Sequence, residues 1–94
     1  STGPETRGVH VATYHRSMMQ QAIDSIDTIS AKGRDLSSLT LCVGRNGLKL
    51  FKERVQRFRR ELLELSALED DPDQVVQINF QLFPLSRSKN EVNK

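Results

Sequence analysis

The chain has 94 residues, which is enough for one domain and no more. Its formal charge of +2 is too small to imply nucleic-acid binding by itself. A single cysteine excludes an intrachain disulfide, and no apolar run approaches the roughly 20 residues of a membrane span. We therefore predict a soluble, cytoplasmic protein that does not act at a membrane.

The first predicted element is a helix over residues 9–30. Its apolar residues recur at spacings of three and four, which places them on one face: Met18, Met19, Ala22, Ile23, Ile26 and Ile29. The intervening polar residues fall mainly on the other face. We interpret residues 1–8 as a linker or a frayed N-terminus, and an extension of the helix over residues 6–10 is the alternative.

A short strand is predicted next, over residues 39–43, because apolar and polar side chains alternate there. Cys42 lies in this strand, and we expect it to be a small buried hydrophobe, as free cysteines commonly are. The turn Gly44-Arg45-Asn46-Gly47 follows. Asn46 is a residue type that favours the N-cap of a helix.

Residues 48–68 give the strongest helix pattern in the sequence. Their apolar side chains are spaced 3-4-3-4-3 and form one stripe: Leu48, Phe51, Val55, Phe58, Leu62 and Leu65. Six basic and three acidic residues give the helix a net charge of +3. A candidate nucleic-acid face consists of Lys49, Lys52, Arg57, Arg59 and Arg60. The alternative is an ordinary solvated helix face on which the basic and acidic residues form ion pairs with one another.

A long strand is predicted over residues 75–83, after an acidic stretch and Pro72 that end the second helix. One face of this strand is apolar and the other carries a row of amides, Gln77, Asn79 and Gln81. These amides can line a pocket, join two subunits or face water. With Phe83 they form a candidate dimer or ligand surface. Residues 87–94 are polar and aperiodic, so we expect a disordered tail.

The predicted fold class is α+β, with an α/β-like order of helix, strand, helix, strand in a single domain of residues 9–86. Two helices would cover one face of a small sheet. Because a two-stranded sheet is marginal in water and has two open edges, we expect a second copy to complete it in a homodimer. Cover by another part of a longer protein is the alternative.

Catalytic chemistry is not indicated, and we predict a protein that is not an enzyme and needs no metal or other cofactor. His10 and His15 would lie about 140° apart on a helix, too far to share a metal ion. A candidate anion or polar site comprises His15, Arg45 and Asn46. Arg45 and Asn46 stand at the N-terminus of the second predicted helix, and helix N-termini bind anions. A partly buried histidine and an ordinary turn are the alternatives.

Several segments of the chain resemble one bacterial family. They are Tyr14-His15-Arg16, Arg34-Asp35-Leu36-Ser37-Ser38-Leu39-Thr40-Leu41, Phe58-Arg59-Arg60-Glu61-Leu62, Val76-Gln77-Ile78-Asn79 and Gln81-Leu82-Phe83-Pro84-Leu85-Ser86. Over residues 6–86 the sequence is similar to the C-terminal domain of the uncharacterised Fibrobacter/Bdellovibrio-type family of transcriptional regulators. The resemblance implies a helix-turn-helix-like N-terminal part ahead of this domain. The opening without an initiator Met leads us to expect a fragment of a longer chain.

The resulting hypothesis is a non-enzymatic, C-terminal dimerisation or effector domain of a bacterial transcriptional regulator. Its partners would be a second copy of the chain and, through the absent N-terminal domain, DNA. Two other hypotheses stay open. One is a sensor of a small ligand that uses the amide row and His15, and the other is a nucleic-acid-contacting module that uses helix 48–68.

Overall fold

A computed structural model describes the backbone of residues 4–89 and the side chains from residue 8 onward. Its regular elements are α1 (Pro4–Thr28), a 3-10 turn (Ala31–Gly33) and α2 (Gly47–Ala67). No β-strand forms within residues 4–89. The secondary structure of this range is therefore all-α. Neither of its helices has the length and apolarity needed to cross a membrane.

The first helix, α1, begins earlier than the apolar pattern predicts and ends two residues sooner, at Thr28. Hydroxyl groups engage carbonyls in its last turns: the Ser25 Oγ donates to the Ala22 carbonyl at 2.6 Å, and the Thr28 Oγ1 to that of Asp24 at 3.0 Å. Past the helix, the Arg34 guanidinium donates to the Ile29 carbonyl. Such hydroxyl bonds to a carbonyl three or four residues earlier are common where serine or threonine lies within a helix.

The second helix, α2, confirms the prediction made for residues 48–68, because it spans Gly47–Ala67. Asn46 is at the N-cap position, where its carbonyl accepts from the Leu50 amide at 3.1 Å, but its side chain makes no capping hydrogen bond. At the other end, the amide of Leu68 donates to the carbonyl of Leu65 at 3.1 Å. This hydrogen bond spans three residues instead of four, as in a 3-10 helix. It tightens the last turn of α2 before the acidic residues 69–73.

The predicted sheet is wrong. Residues 39–43 and 75–83, both predicted as strands, have neither helix nor strand in the structure. Alternating side chains favour an extended backbone, but a strand also needs a neighbour that supplies hydrogen-bond partners. The α+β class, the helix-covered sheet and its completion by a dimer are thereby overturned. Cys42 is exposed rather than buried, because the sheet that was expected to cover it does not form.

The chain divides into two units. The first unit extends to Cys42 and includes Gln74–Asn79, so it contains α1. The second unit comprises Val43–Asp73 and the residues from Phe80 onward, so it contains α2. Residues 1–3 of the predicted linker and residues 90–94 of the predicted tail lie outside the described residues. Residues 87–89 have no helix or strand.

Burial is shallow throughout, since none of residues 8–89 is fully buried. The half-buried side chains are Ala12, Met18, Ala22 and Ser25 on α1, and Phe51, Val55 and Leu62 on α2. Met18, Ala22 and the three α2 residues belong to the apolar faces that the sequence predicts, whereas Ala12 and Ser25 do not. Each helix therefore has a partly covered face and no closed core among the described residues.

The turn before α2 requires glycine at its last position. The Gly47 amide donates to the Gly44 carbonyl at 3.0 Å, which closes the turn. A Cβ atom added to Gly47 would lie 2.5 Å from the Cβ of Val43 and 3.1 Å from its Cγ1. The nearest atom is the Val43 Cβ, which stays in place when the side chain rotates. A change of rotamer at Val43 therefore does not relieve the clash. The backbone has to move.

We expect Gly47→Ala to lower the free energy of unfolding by about 1–3 kcal/mol, the usual cost of overpacking. The roughly 1 kcal/mol by which alanine exceeds glycine in helix propensity would partly offset this. Urea unfolding followed by far-UV circular dichroism measures the change. Gly44→Ala is the matched control, because an added Cβ there meets nothing within 4 Å. Equal stability of the two variants would contradict the steric account.

Candidate interaction surfaces

One side of α1 is left uncovered. Met19, Ile23 and Ile26 are 38%, 57% and 53% exposed. At about 100° per residue they fall within a sector of about 60°, and we call these three residues the α1 strip. Beside them, Met18 and Ala22 are half-buried. The α1 strip is therefore the part of the helix's apolar face that its own unit does not cover.

Asn79 ties the segment Gln74–Asn79 to α1 within the first unit. Its Nδ2 donates to the Met18 carbonyl at 2.8 Å, and the side chain is half-buried. The Gln77 Nε2 donates to the Asn79 Oδ1 at 2.9 Å, which orients the Asn79 amide. Residues two apart on an extended chain point the same way, and this explains the pairing.

The predicted amide surface thus has unequal members. Asn79 is bonded to the protein itself, and Gln77 supports that bond. Gln81 and Phe83 are exposed in the second unit, and the Phe83 side chain is 65% exposed. In the structure Asn79 has a structural role, a hydrogen bond to α1, which the spacing of the amides did not predict.

An aromatic contact partly covers the apolar stripe of α2. The rings of Phe58 and Phe80 lie 6.3 Å apart between centroids at an interplanar angle of 81°, an edge-to-face arrangement. Such pairs contribute about 0.5–1.5 kcal/mol beyond the area that they bury. Phe58 nevertheless stays 51% exposed and Leu65 62% exposed. The C-terminal segment therefore covers this stripe incompletely.

The basic residues of α2 separate into two groups around the helix axis. Four of them lie together beside the apolar stripe within a sector of about 100°, and we call Lys49, Lys52, Arg59 and Arg60 the α2 cationic band. All four are exposed. The other flank carries both signs of charge: Glu53, Arg54, Arg57, Glu61 and Glu64. Helix geometry therefore separates Arg57 from the other four residues of the predicted nucleic-acid face.

A shallow, open depression lies against this band. It is lined by Lys52, Glu53, Gln56 and Arg60. Lys52, Gln56 and Arg60 follow one another at intervals of four residues, so they stand in a row along α2. The depression is thus mainly cationic, with a carboxylate at its edge.

The predicted anion-site residues lie in different units and are all exposed. His15 is on α1, where its ring lies 5.6 Å from that of Tyr14 at 67°. The alternative of a partly buried histidine is therefore wrong. Arg45 and Asn46 occupy the turn before α2. Among the described residues, no three His, Cys, Asp or Glu side chains are grouped closely enough to hold a metal ion.

Two contacts were missed by sequence reasoning. They are the Asn79 bond to the Met18 carbonyl and the Phe58–Phe80 ring pair. Each joins residues more than twenty positions apart in the sequence. Apolar periodicity indicated that Phe58 and Phe80 each sit on an apolar face, but it does not specify which faces meet. For Asn79 the sequence contains no such signal.

These features define a class of protein, a small helical domain whose helix faces are incompletely covered. The chain belongs to the DUF4423 family, described as a domain of unknown function, because the family model matches residues 1–85. The resemblance to an uncharacterised family is confirmed to this extent. No curated protein and no solved structure matches the chain.

The Asn79 contact can be tested by mutation. We expect Asn79→Ala to lower the free energy of unfolding by about 0.5–1.5 kcal/mol, the net value of one hydrogen bond. The control is Gln81→Ala, which removes an exposed amide two residues away and should change stability by less than about 0.5 kcal/mol. Urea unfolding measures both. If the two substitutions have equal effects, the bond to the Met18 carbonyl does not stabilise the fold.

Proposed function

We propose that this chain is a non-enzymatic dimerisation domain, the C-terminal association domain of a bacterial transcriptional regulator that works in the cytoplasm. The observation that carries the proposal is the α1 strip, three large apolar side chains left in water on one helix face. Large apolar side chains that are contiguous and exposed are typical of a surface on which another protein packs. A second copy of the same chain is the occupant that the neighbouring charges favour.

Those charges lie along one edge of the α1 strip. Arg16 is near one end and Asp27 near the other, and both are exposed. They are eleven residues apart, about 16 Å along the helix axis. If two α1 helices pack antiparallel about a two-fold axis, each Arg16 comes opposite the Asp27 of the other copy. Two opposite-charge pairs would then flank the apolar contact, as a self-complementary interface requires.

The α2 stripe is a poorer candidate for self-association. Lys52 and Arg59 both lie along one edge of the stripe. Antiparallel pairing of two α2 helices brings the same edge of each copy together, so cations would face cations. Like charges across an interface cost free energy and favour a different partner. The cationic edge of the α2 stripe therefore supports the α1 strip as the proposed dimer surface.

The regulator assignment is supported by the sequence resemblance described above. In such a regulator an N-terminal helix-turn-helix-like part would bind DNA, and a C-terminal dimer would set the spacing of the two half-sites. The domain itself would supply the association of the two copies. This role needs no catalytic group and no cofactor.

Sedimentation velocity across about 1–100 μM protein tests the dimer, since the proposal requires a reversible monomer–dimer equilibrium in this range. We expect Ile23→Asp to raise the dissociation constant about 100-fold, because a carboxylate would replace a central apolar contact. Gln21→Asp introduces the same charge on the polar face of α1 and should leave the equilibrium unchanged. A wild-type chain that is monomeric at 100 μM would refute the proposal.

The antiparallel arrangement has a test of its own in a charge swap. Arg16→Asp and Asp27→Arg should each weaken the dimer, by about three- to tenfold, because each creates two like-charge pairs. The double variant restores opposite charges and should recover most of the wild-type affinity. Failure of the double variant to recover affinity, with dimerisation still sensitive to Ile23→Asp, would retain the dimer and reject this arrangement.

A further inference from the structure

The α2 cationic band differs from an ordinary solvated helix face in the position of its charges. Lys52 and Arg59 have no carboxylate three or four residues away on either side. Helix neighbours at these spacings are the ones that form intrahelical ion pairs. Arg57, in contrast, has Glu53 and Glu61 at four residues on either side. Two cations of the band, Lys52 and Arg59, are thus not neutralised by the helix itself, whereas Lys49 and Arg60 each have one glutamate four residues further on.

The length of the band matches a polymer that carries anionic groups at regular intervals. Lys49 and Arg60 are eleven residues apart, so the band extends about 16 Å along α2. At an axial rise of 3.4 Å per base pair this length corresponds to about five base pairs along the axis of a duplex. Lysine and arginine side chains reach a few ångströms from the helix. Consecutive phosphates of one strand therefore lie within their reach.

The aromatic residues favour contact with the backbone rather than with the bases. Single-stranded nucleic acids are commonly held by stacking bases on exposed aromatic rings. On α2, Phe51 is half-buried and Phe58 already meets Phe80 edge to face. Phosphate contacts in a duplex need no stacking platform. This points to a duplex that is bound without sequence readout.

The opposite flank of α2 disfavours an anionic membrane. A helix lying on a membrane presents both flanks of its apolar stripe to the lipid headgroups. In α2 one flank is cationic, whereas the other includes Glu61 and Glu64. A membrane surface would repel these carboxylates. A rod-like polyanion that lies along one flank avoids them.

We propose that the α2 cationic band, Lys49, Lys52, Arg59 and Arg60, binds the phosphate backbone of a nucleic-acid duplex. This function is separate from dimerisation, because it uses a different helix and none of the residues of the α1 strip. It adds a second, sequence-independent contact with DNA or RNA to the proposed regulator. The chemistry that the two duplexes share is the regular row of phosphates.

Salt dependence of binding measures the contact directly. Fluorescence anisotropy of a labelled 20-base-pair DNA duplex, titrated with the 94-residue chain at several salt concentrations, gives the slope of log affinity against log salt. Four phosphate contacts predict a slope of about −3.6 for one protomer. Affinity should then fall roughly 150-fold between 50 and 200 mM salt. A duplex RNA of equal length is the second arm, and binding of either duplex with this slope supports the proposal.

Matched variants separate the band from net charge. Lys52→Gln combined with Arg59→Gln removes two of the four contacts, so the slope should fall by half. Arg54→Gln combined with Arg57→Gln removes the same charge from the opposite flank and should leave the slope nearly unchanged. Circular dichroism verifies that both variants keep their helix content.

Three results would overturn the proposal. The first is no duplex binding at 50 mM salt. The second is an equal loss of slope in the two double variants, which would indicate a net-charge effect. The third is competition by poly-glutamate as effective as that by unlabelled duplex at equal charge concentration, which would indicate an acidic protein partner instead. Because Ile23→Asp changes only the dimer, its binding slope per protomer distinguishes failure of this proposal from failure of the dimer.

Discussion

The structure depends on how two amphipathic helices are covered. In proteins most of the stability of a helix comes from the packing of its apolar face rather than from the intrinsic helix propensity of its residues. Within residues 8–89 no side chain is fully buried, and the faces receive partial cover from the C-terminal segment. The Asn79 bond to α1 and the Phe80 ring on α2 are the specific contacts that provide it. A partner that packs on such a face adds stability by mass action, so association and folding are thermodynamically linked.

The two helices differ in what can cover them, and charge makes the difference. The edge of the α1 strip carries Arg16 and Asp27, so it complements a reversed copy of itself. The edge of the α2 stripe carries Lys52 and Arg59 and repels its own copy. The arrangement of charge beside the two faces favours the proposed second protomer on one and the proposed polyanion on the other.

Local periodicity predicted the helices well, because a helix satisfies its hydrogen bonds within a short stretch of chain. The 3-4-3-4-3 stripe placed both ends of α2 within one residue. The strands failed for the converse reason. Alternation over residues 75–83 describes which way side chains point on an extended chain, whereas a strand depends on a distant partner. The nucleic-acid face shows a related error: Arg57 was grouped with Arg59 and Arg60 by position along the sequence, although a helix turns it to the other flank.

Separating the two surfaces has a consequence for how a regulator could use them. The proposed dimerisation through α1 would double the number of cationic bands per particle without changing any residue of either band. Contacts with phosphates depend steeply on salt, whereas an apolar helix contact flanked by two ion pairs depends on it weakly. Rising salt would therefore release the duplex before it dissociates the dimer. The domain would remain dimeric while its affinity for nucleic acid changes with salt concentration. This is expected of a module that fixes the spacing of the DNA-binding parts of a longer protein.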